Sequence, residues 1–314
     1  VAHFATTLAY LGPPGTFAEE ALLSESALKG CVISPRSSIL EVIEAVDNAE
    51  VALGFVPIEN AIDGVVRDTL DTLIFDTDLL IQREVVLDVH LHLMAPKGVA
   101  MKEIQKVISY PVALAQCRKF FAQRLPGVEL VAATSTADAA RLLGENADPH
   151  TGALGTALAA QLYGLEIVER DVEDFSGNQT RFVVLSKSGL TAPTGHDRTS
   201  IVCFQDADRP GNLHAILGQF AARGINLTRL ESRPTKQGLG AYCFAIDLDG
   251  HIGDELIADC LKELHATLAS VKFLGSYPAA GVAAHFQRKA VDVAWRAANE
   301  WVDALRAQIR PSSS

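Results

Sequence analysis

The chain has 314 residues, 48% hydrophobic and 21% charged, a globular composition long enough for two or three domains, so a disordered or fibrous protein is excluded. A formal net charge of −11 argues against nucleic acid or an anionic membrane surface as the main partner, because both reward clustered Lys and Arg. Any anionic ligand must then be met by a few local donors. The cysteines Cys31, Cys117, Cys203, Cys243 and Cys260 are odd in number and form no CxxC pair, which suggests neither a disulfide framework nor a zinc site and fits a reducing cytoplasm. No run reaches the roughly 18 apolar residues of a membrane span, and VAHFATTLAYLG has no basic leader. A soluble protein that is not exported is expected.

In chain order, TLAYLG predicts a buried strand and PPGTFAEEALLSESAL a turn followed by a helix. CVISP predicts a second strand. SSILEVIEAVDNAE places Ser38 as helix cap with Glu41 three residues on, a capping box, before the strand VALGFVPIE. Strand, helix, strand, helix, strand is the pattern of a parallel sheet covered by helices. A second unit with similar phrasing begins after residue 105, and its segment STADAARLLGENADPHTGALGTALA echoes SSILEVIEAVDNAEVALGFVPIENA. We read two similar α/β lobes, lobe one about 7–84 and 172–188, lobe two about 85–171. QREVVLDVHLHLMAPKG would cross from one to the other, and LEIVERDVEDFSGNQTRFVVL would cross back. Such a double crossing leaves a cleft, where small molecules bind preferentially.

SKSGLTAPTGHDR, residues 186 to 198, is a linker rich in Ser, Gly, Thr and Pro. Beyond it the order strand, helix, strand, strand, helix, strand predicts a ferredoxin-like plait over 191–278. The tail, 279–314, carries Phe286, Ala290, Val293, Ala294, Ala297, Trp301 and Leu305 at helical spacing, an amphipathic helix expected to pack on the body or on another subunit.

Several motifs point toward the cleft. GPPGTF, with Gly15 and Thr16, is either a tight strand-to-helix turn or a cradle of backbone N–H groups for an anion; it lacks the GK[ST] of a Walker loop. PIENAIDG sets Glu59, Asn60, Asp63 and Gly64 directly after a strand, either lining the crevice or capping a solvated turn. Gln116 in VALAQC can donate to a carboxylate or cap a turn. In SGNQTRFVVL a polar run meets an apolar strand at Thr180 and Arg181. His90 and His92 lack a carboxylate pattern that would make them ligands, and we read them as structural.

Taken together, GPPGTF, PIENAIDG, AQC and NQTRFVVL, followed by a plait carrying GNLHAIL and RLESRP, resemble the monofunctional bacterial prephenate dehydratases, in which a catalytic domain (here 1–190) precedes an ACT regulatory domain. The resemblance runs to about residue 278, in the family's order, and implies lobes of the type II periplasmic-binding-protein plan. It implies conversion of prephenate to phenylpyruvate, with release of carbon dioxide and water, in L-phenylalanine biosynthesis. Aromatisation drives that reaction, so neither metal nor cofactor is expected. Thr180 is then the hydroxyl acting on the leaving oxygen, with Glu59 an ultimate proton source, because a threonine by itself is a poor acid. Arg181 becomes a bidentate carboxylate clamp, and Asn60, Gly64, Gly15, Thr16, Gln116 and Phe182 contact substrate. Ala61 departs from the family's usual Ser or Thr, leaving backbone N–H groups of that turn to serve.

In relatives the helix-start motif and ESRP meet across a subunit interface and bind phenylalanine. The resemblance therefore assigns Gly211, Asn212 (usually Ala), Leu213, Glu231, Ser232, Arg233 and Pro234 to the effector, in a homodimer or homotetramer. Two rival readings are arogenate dehydratase, whose substrate carries an amino group in place of the keto group, and a non-catalytic sensor of amino acids or small anions.

Overall fold

The computed structural model describes residues 6–205, 209–236, 238, 240–281 and 288–308. The chain forms two compact units: one takes the chain up to Leu79 together with Glu84–Lys187, and the other takes Leu80–Arg83 and the chain from Ser188 onward.

The first unit contains both lobes except the first four residues of the last strand before the crossing. Lobe one runs β1 (Thr7–Leu11), α1 (Phe17–Ser24), β2 (Val32–Arg36), α2 (Ile39–Asp47), β3 (Leu53–Asn60), β4 (Gly64–Val65), α3 (Arg67–Phe75) and β5 (Leu80–Asp88), and regains the chain at β11 (Gln179–Ser186). Its sheet has the order β2-β1-β3-β11-β5, with β4 beside β3. β1 pairs in parallel with β2 and β3, and the returning β11 lies antiparallel to β3. Helix starts follow local chemistry. Ser38 Oγ accepts the Glu41 N–H at 3.1 Å, as a cap should. The reciprocal bond of a capping box goes elsewhere, because the Glu41 carboxylate takes the N–H and hydroxyl of Ser37 instead of the N–H of Ser38.

Lobe two runs β6 (His92–Ala95), β7 (Lys106–Ser109), α4 (Pro111–Gln116), α5 (Arg118–Arg124), β8 (Glu129–Ala132), α6 (Thr136–Asn146), β9 (Thr151–Gly155), α7 (Ala157–Leu162) and β10 (Glu166–Glu169). Its sheet has the order β10-β6-β9-β7-β8. Ser135 and Thr156 cap α6 and α7 with their hydroxyls. The alternating run expected as one crossing strand is broken at 89–91. β5 stays in the first sheet to Asp88 and β6 enters the second at His92, so the crossing falls at 89–91, inside the expected run. The return runs from β10 to β11. The two crossings meet side by side, with Val89 N–H bonded to Asn178 O and Val172 N–H to Leu91 O, both at 2.8 Å.

The second unit holds β12 (Asp197–Phe204), α8 (Asn212–Ala222), β13 (Leu227–Pro234), β14 (Tyr242–Asp249), α9 (Glu255–Thr267) and β15 (Ser270–Pro278). The sheet order β13-β14-β12-β15 is antiparallel throughout, and the sheet buries Ile201, Cys203, Ile246 and Leu248 against Ile216 and Phe220 of α8 and Ile257 and Leu264 of α9. The tail helix α10 (Arg288–Arg306) contacts α9. Trp301 and Leu305 on it are 64% and 45% exposed, so these two anchors of the expected packing face do not bury themselves within the chain. Phe286 lies outside the described residues.

Candidate active site

Five polar side chains form a continuous hydrogen-bonded chain between the lobes. At one end, in the turn after β3, is the Asp63 carboxylate. Gln116, the last residue of α4 in lobe two, donates to Asp63 Oδ2 through Nε2 (3.1 Å) and accepts at Oε1 from Asn178 Nδ2 (3.2 Å). Asn178 accepts in turn from Asn60 Nδ2 (3.0 Å), and the same Nδ2 donates to Thr180 Oγ1 (2.9 Å). Asn60 and Thr180 are brought together by register, standing opposite each other on β3 and β11. Asn60 Oδ1 holds the N–H groups of Ile62 and Asp63 at 2.9 and 3.0 Å, an Asx turn that closes the hairpin. Among the described residues, no acceptor takes the Thr180 hydroxyl proton.

The structure therefore joins Asn60, Gln116 and Thr180 as the motifs suggest, and adds Asn178, for which the sequence carried only its place two residues before Thr180. Asn178 is 3% exposed. A buried amide needs partners for both its ends, and here it has them.

Other expected residues stand elsewhere. Side chains alternate along a strand, so Thr180 and Arg181 point to opposite faces of β11. Arg181 is 8% exposed; its Nε donates to Glu84 Oε2 of β5 at 2.8 Å and its Nη1 to Glu59 Oε2 at 3.4 Å. The fork expected to clamp a substrate carboxylate thus holds two protein carboxylates. The same alternation places Glu59 on the face away from Asn60 and Thr180, which removes the geometry for a Glu59-to-Thr180 proton relay. Phe182 is 2% exposed and stacks on Phe55 with centroids 5.1 Å apart; it is core beneath the site, not a wall of it. The period of two could have separated these neighbours from the sequence alone.

The turn N–H groups proposed to replace a side chain at Ala61 are also committed. Ala61 N–H bonds Gln179 O at 2.8 Å, and those of Ile62 and Asp63 bond Asn60. Gly64, in the left-handed region at φ +79°, closes the hairpin by pairing with Asn60.

GPPGTF works as a lobe-to-lobe seam. Gly15 N–H is taken by the buried Glu19 carboxylate at 2.5 Å, while Thr16 caps α1 and donates to Leu11 O. Gly15 O accepts from Thr156 Oγ1 (2.8 Å) and Pro14 O from Tyr163 OH (2.7 Å), both from lobe two. Gly15 has φ +92°, and a Cβ there would lie 3.1 Å from Ala159 Cα and Cβ, so the close approach of α7 requires glycine. Burial, with Glu19 beside it, pushes the Tyr10 phenol above the ordinary tyrosine range.

At the crossings, folding supplies carboxylates that the spacing around His90 did not show. His90 Nδ1 lies 3.2 Å from Glu173 and 3.3 Å from Asp171, and His92 Nδ1 accepts the Asp171 N–H at 3.2 Å.

In the second unit, Gly211 (φ +90°) caps α8 and Asn212 Nδ2 donates to Gln205 Oε1 at 3.2 Å. Asn212 opens onto a cavity of about 300 Å³ shared with Arg209, Gln219 and Leu268; Gly211, Leu213 and the segment Glu231, Ser232, Arg233, Pro234 are not among its lining residues. That segment ends β13, one of the two edge strands of the sheet.

Residues 8–189 match the family model for prephenate dehydratase. The chain belongs to the prephenate dehydratase family. Residues 199–266 match the ACT domain. The prephenate dehydratase of Mycobacterium tuberculosis is 40% identical over 309 residues, 96% of this chain and 94% of that protein. Among solved structures, the prephenate dehydratase from Arthrobacter aurescens in complex with L-Phe is 38% identical, covers 96% of this chain and all of that one, and superposes with a TM-score of 0.84. A structure described as GqqA, a novel type of quorum quenching acylase, is 31% identical over 87% of this chain and 98% of that one, with a TM-score of 0.78. Membership makes the chain a carbon–oxygen lyase of phenylalanine biosynthesis with a regulatory domain of the ACT type. Among the described residues no helix is long and apolar enough to cross a membrane.

Proposed function

We propose that prephenate is dehydrated and decarboxylated at the Thr180 end of the interlobe polar chain. The observation that carries this assignment is the direction of one hydrogen bond: Asn60 Nδ2 donates into Thr180 Oγ1. A hydroxyl that already accepts is polarised to donate a stronger hydrogen bond through its own proton, which it keeps. The group waiting for it is the ring hydroxyl of prephenate, which leaves as the ring carboxylate departs as carbon dioxide. Because aromatisation supplies the driving force, Thr180 does not have to ionise; a strong hydrogen bond to the developing hydroxide lowers the barrier. Arg181, on the other face, serves by holding β3, β11 and β5 together through Glu59 and Glu84.

L-Phenylalanine is the effector we assign to the second unit, at the start of α8 and the end of β13 in a homo-oligomer. The ACT match and the relative solved with L-Phe support this reading. It is tested with purified protein given prephenate and arogenate separately, with and without L-phenylalanine. Phenylpyruvate from prephenate is expected, with turnover altered by the amino acid; phenylalanine formed from arogenate in preference would overturn the substrate assignment. Thr180→Val is expected to lower kcat about 100-fold or more, the usual worth of one hydrogen-bond donor to a developing anion, and a variant within threefold of wild type would remove Thr180 from the chemistry.

A further inference from the structure

We propose that Asn178 is a positioning residue through which lobe two sets the orientation of the Thr180 hydroxyl, a reading that rests on Thr180 as donor to the leaving oxygen. Amides can turn over and exchange donor for acceptor, so a row of them has no intrinsic direction. This row has one. Asp63, a carboxylate, only accepts, so Gln116 must present Nε2 to it and Oε1 to Asn178. Asn178 must then present Nδ2 to Gln116 and Oδ1 to Asn60. Asn60 is held in the matching sense from its other end, since its Oδ1 receives the Ile62 and Asp63 N–H groups. Its remaining donor falls on Thr180 Oγ1, which leaves the Thr180 proton for the substrate.

Asn178 is the link that belongs to both halves. Its Oδ1 anchors the Asn60–Thr180 pair of lobe one, and its Nδ2 reaches Gln116 of lobe two. Its backbone carbonyl accepts from Val89 N–H on the opposite crossing, so the side chain hangs from the paired crossings between the lobes. Contact of the lobes and aiming of the hydroxyl are thereby one hydrogen-bonded event.

Two substitutions separate the functions of Asn178. Asn178→Asp keeps an acceptor for Asn60 and loses the donor to Gln116; kcat is expected to stay within about threefold of wild type while KM rises about tenfold, the worth of one hydrogen bond. Asn178→Ala loses both links, and kcat is expected to fall about tenfold or more along with the rise in KM. The double variant Asn178→Asp with Asp63→Asn permits Gln116 to turn over, giving Nε2 to the new carboxylate and Oε1 to the new amide, so KM is expected to recover to within about threefold of wild type. A general loss of packing would give no such recovery. Steady-state kinetics on prephenate read all three, with melting temperature recorded for each. The proposal is overturned if Asn178→Ala leaves kcat and KM unchanged, if Asn178→Asp loses as much kcat as Asn178→Ala, or if the double variant fails to recover KM. Loss of activity in Thr180→Val with a neutral Asn178→Ala would sink this inference and leave the assignment of Thr180 standing.

Discussion

Glu84→Ala distinguishes a substrate clamp from a buried pair at Arg181. The two side chains are 9% and 3% exposed and meet at 2.8 Å, so removing the carboxylate takes a partner from a guanidinium held away from water. Breaking a buried ion pair from one side costs about 3–5 kcal/mol. Glu59, at 3.4 Å from Nη1 and 37% exposed, still offers partial compensation and places the expected loss near about 3 kcal/mol. For a unit of this size each kcal/mol moves the melting temperature about 2–4 °C, so a drop of roughly 6–12 °C is expected by circular dichroism. KM for prephenate, measured well below the new melting temperature, is expected to change less than about threefold, because Arg181 faces away from Thr180. A melting temperature within 2 °C of wild type would refute the buried-pair account. A large fall in KM, as a released fork captured the substrate, would restore the clamp.

Gly15→Ala places a Cβ at φ +92° against Ala159 of lobe two. Strain of about 1–3 kcal/mol is expected, with a lower melting temperature and a raised KM as the lobes separate; a variant matching wild type in both would show that the seam yields freely. The second expectation concerns acid. Burial is the main cause holding the His92 imidazole below its ordinary 6.5, so the folded chain keeps His92 neutral where the unfolded chain would protonate it. The unfolded state then binds more protons, and stability rises with pH through that interval. His92 therefore contributes fully above about pH 6.5 and loses its contribution as pH falls from there to the depressed folded value. His92→Gln should narrow the fall in melting temperature between pH 7.5 and 5.5, and an unchanged fall would assign the acid sensitivity to other groups.

Much of the molecule was legible because its signals are local. The Ser38 cap, the strands with apolar runs and the βαββαβ order are each written within a few residues, where helix and strand chemistry acts. The first crossing lies within the run read for it, but its break at 89–91 was not legible, because an alternating run does not say which sheet its pairs come from. Arg181 was the more instructive case. A cation beside Thr180 invited a ligand, yet its partner Glu84 lies 97 positions away in sequence.

The sequence by itself determined which polar residues gather at strand and helix ends: the turn PIENAIDG, Gln116 and the pair Thr180–Arg181 stand in family order, and local propensity puts them there. Only the tertiary structure decided what each one faces. Strand register set Asn60 against Thr180, the pairing of distant strands brought Glu84 to Arg181, and the double crossing carried Gln116 to Asp63 and Asn178. Composition specifies donors and acceptors; the direction of a hydrogen-bonded chain exists only once its ends, here Asp63 and the turn N–H groups on Asn60, have been brought together in space.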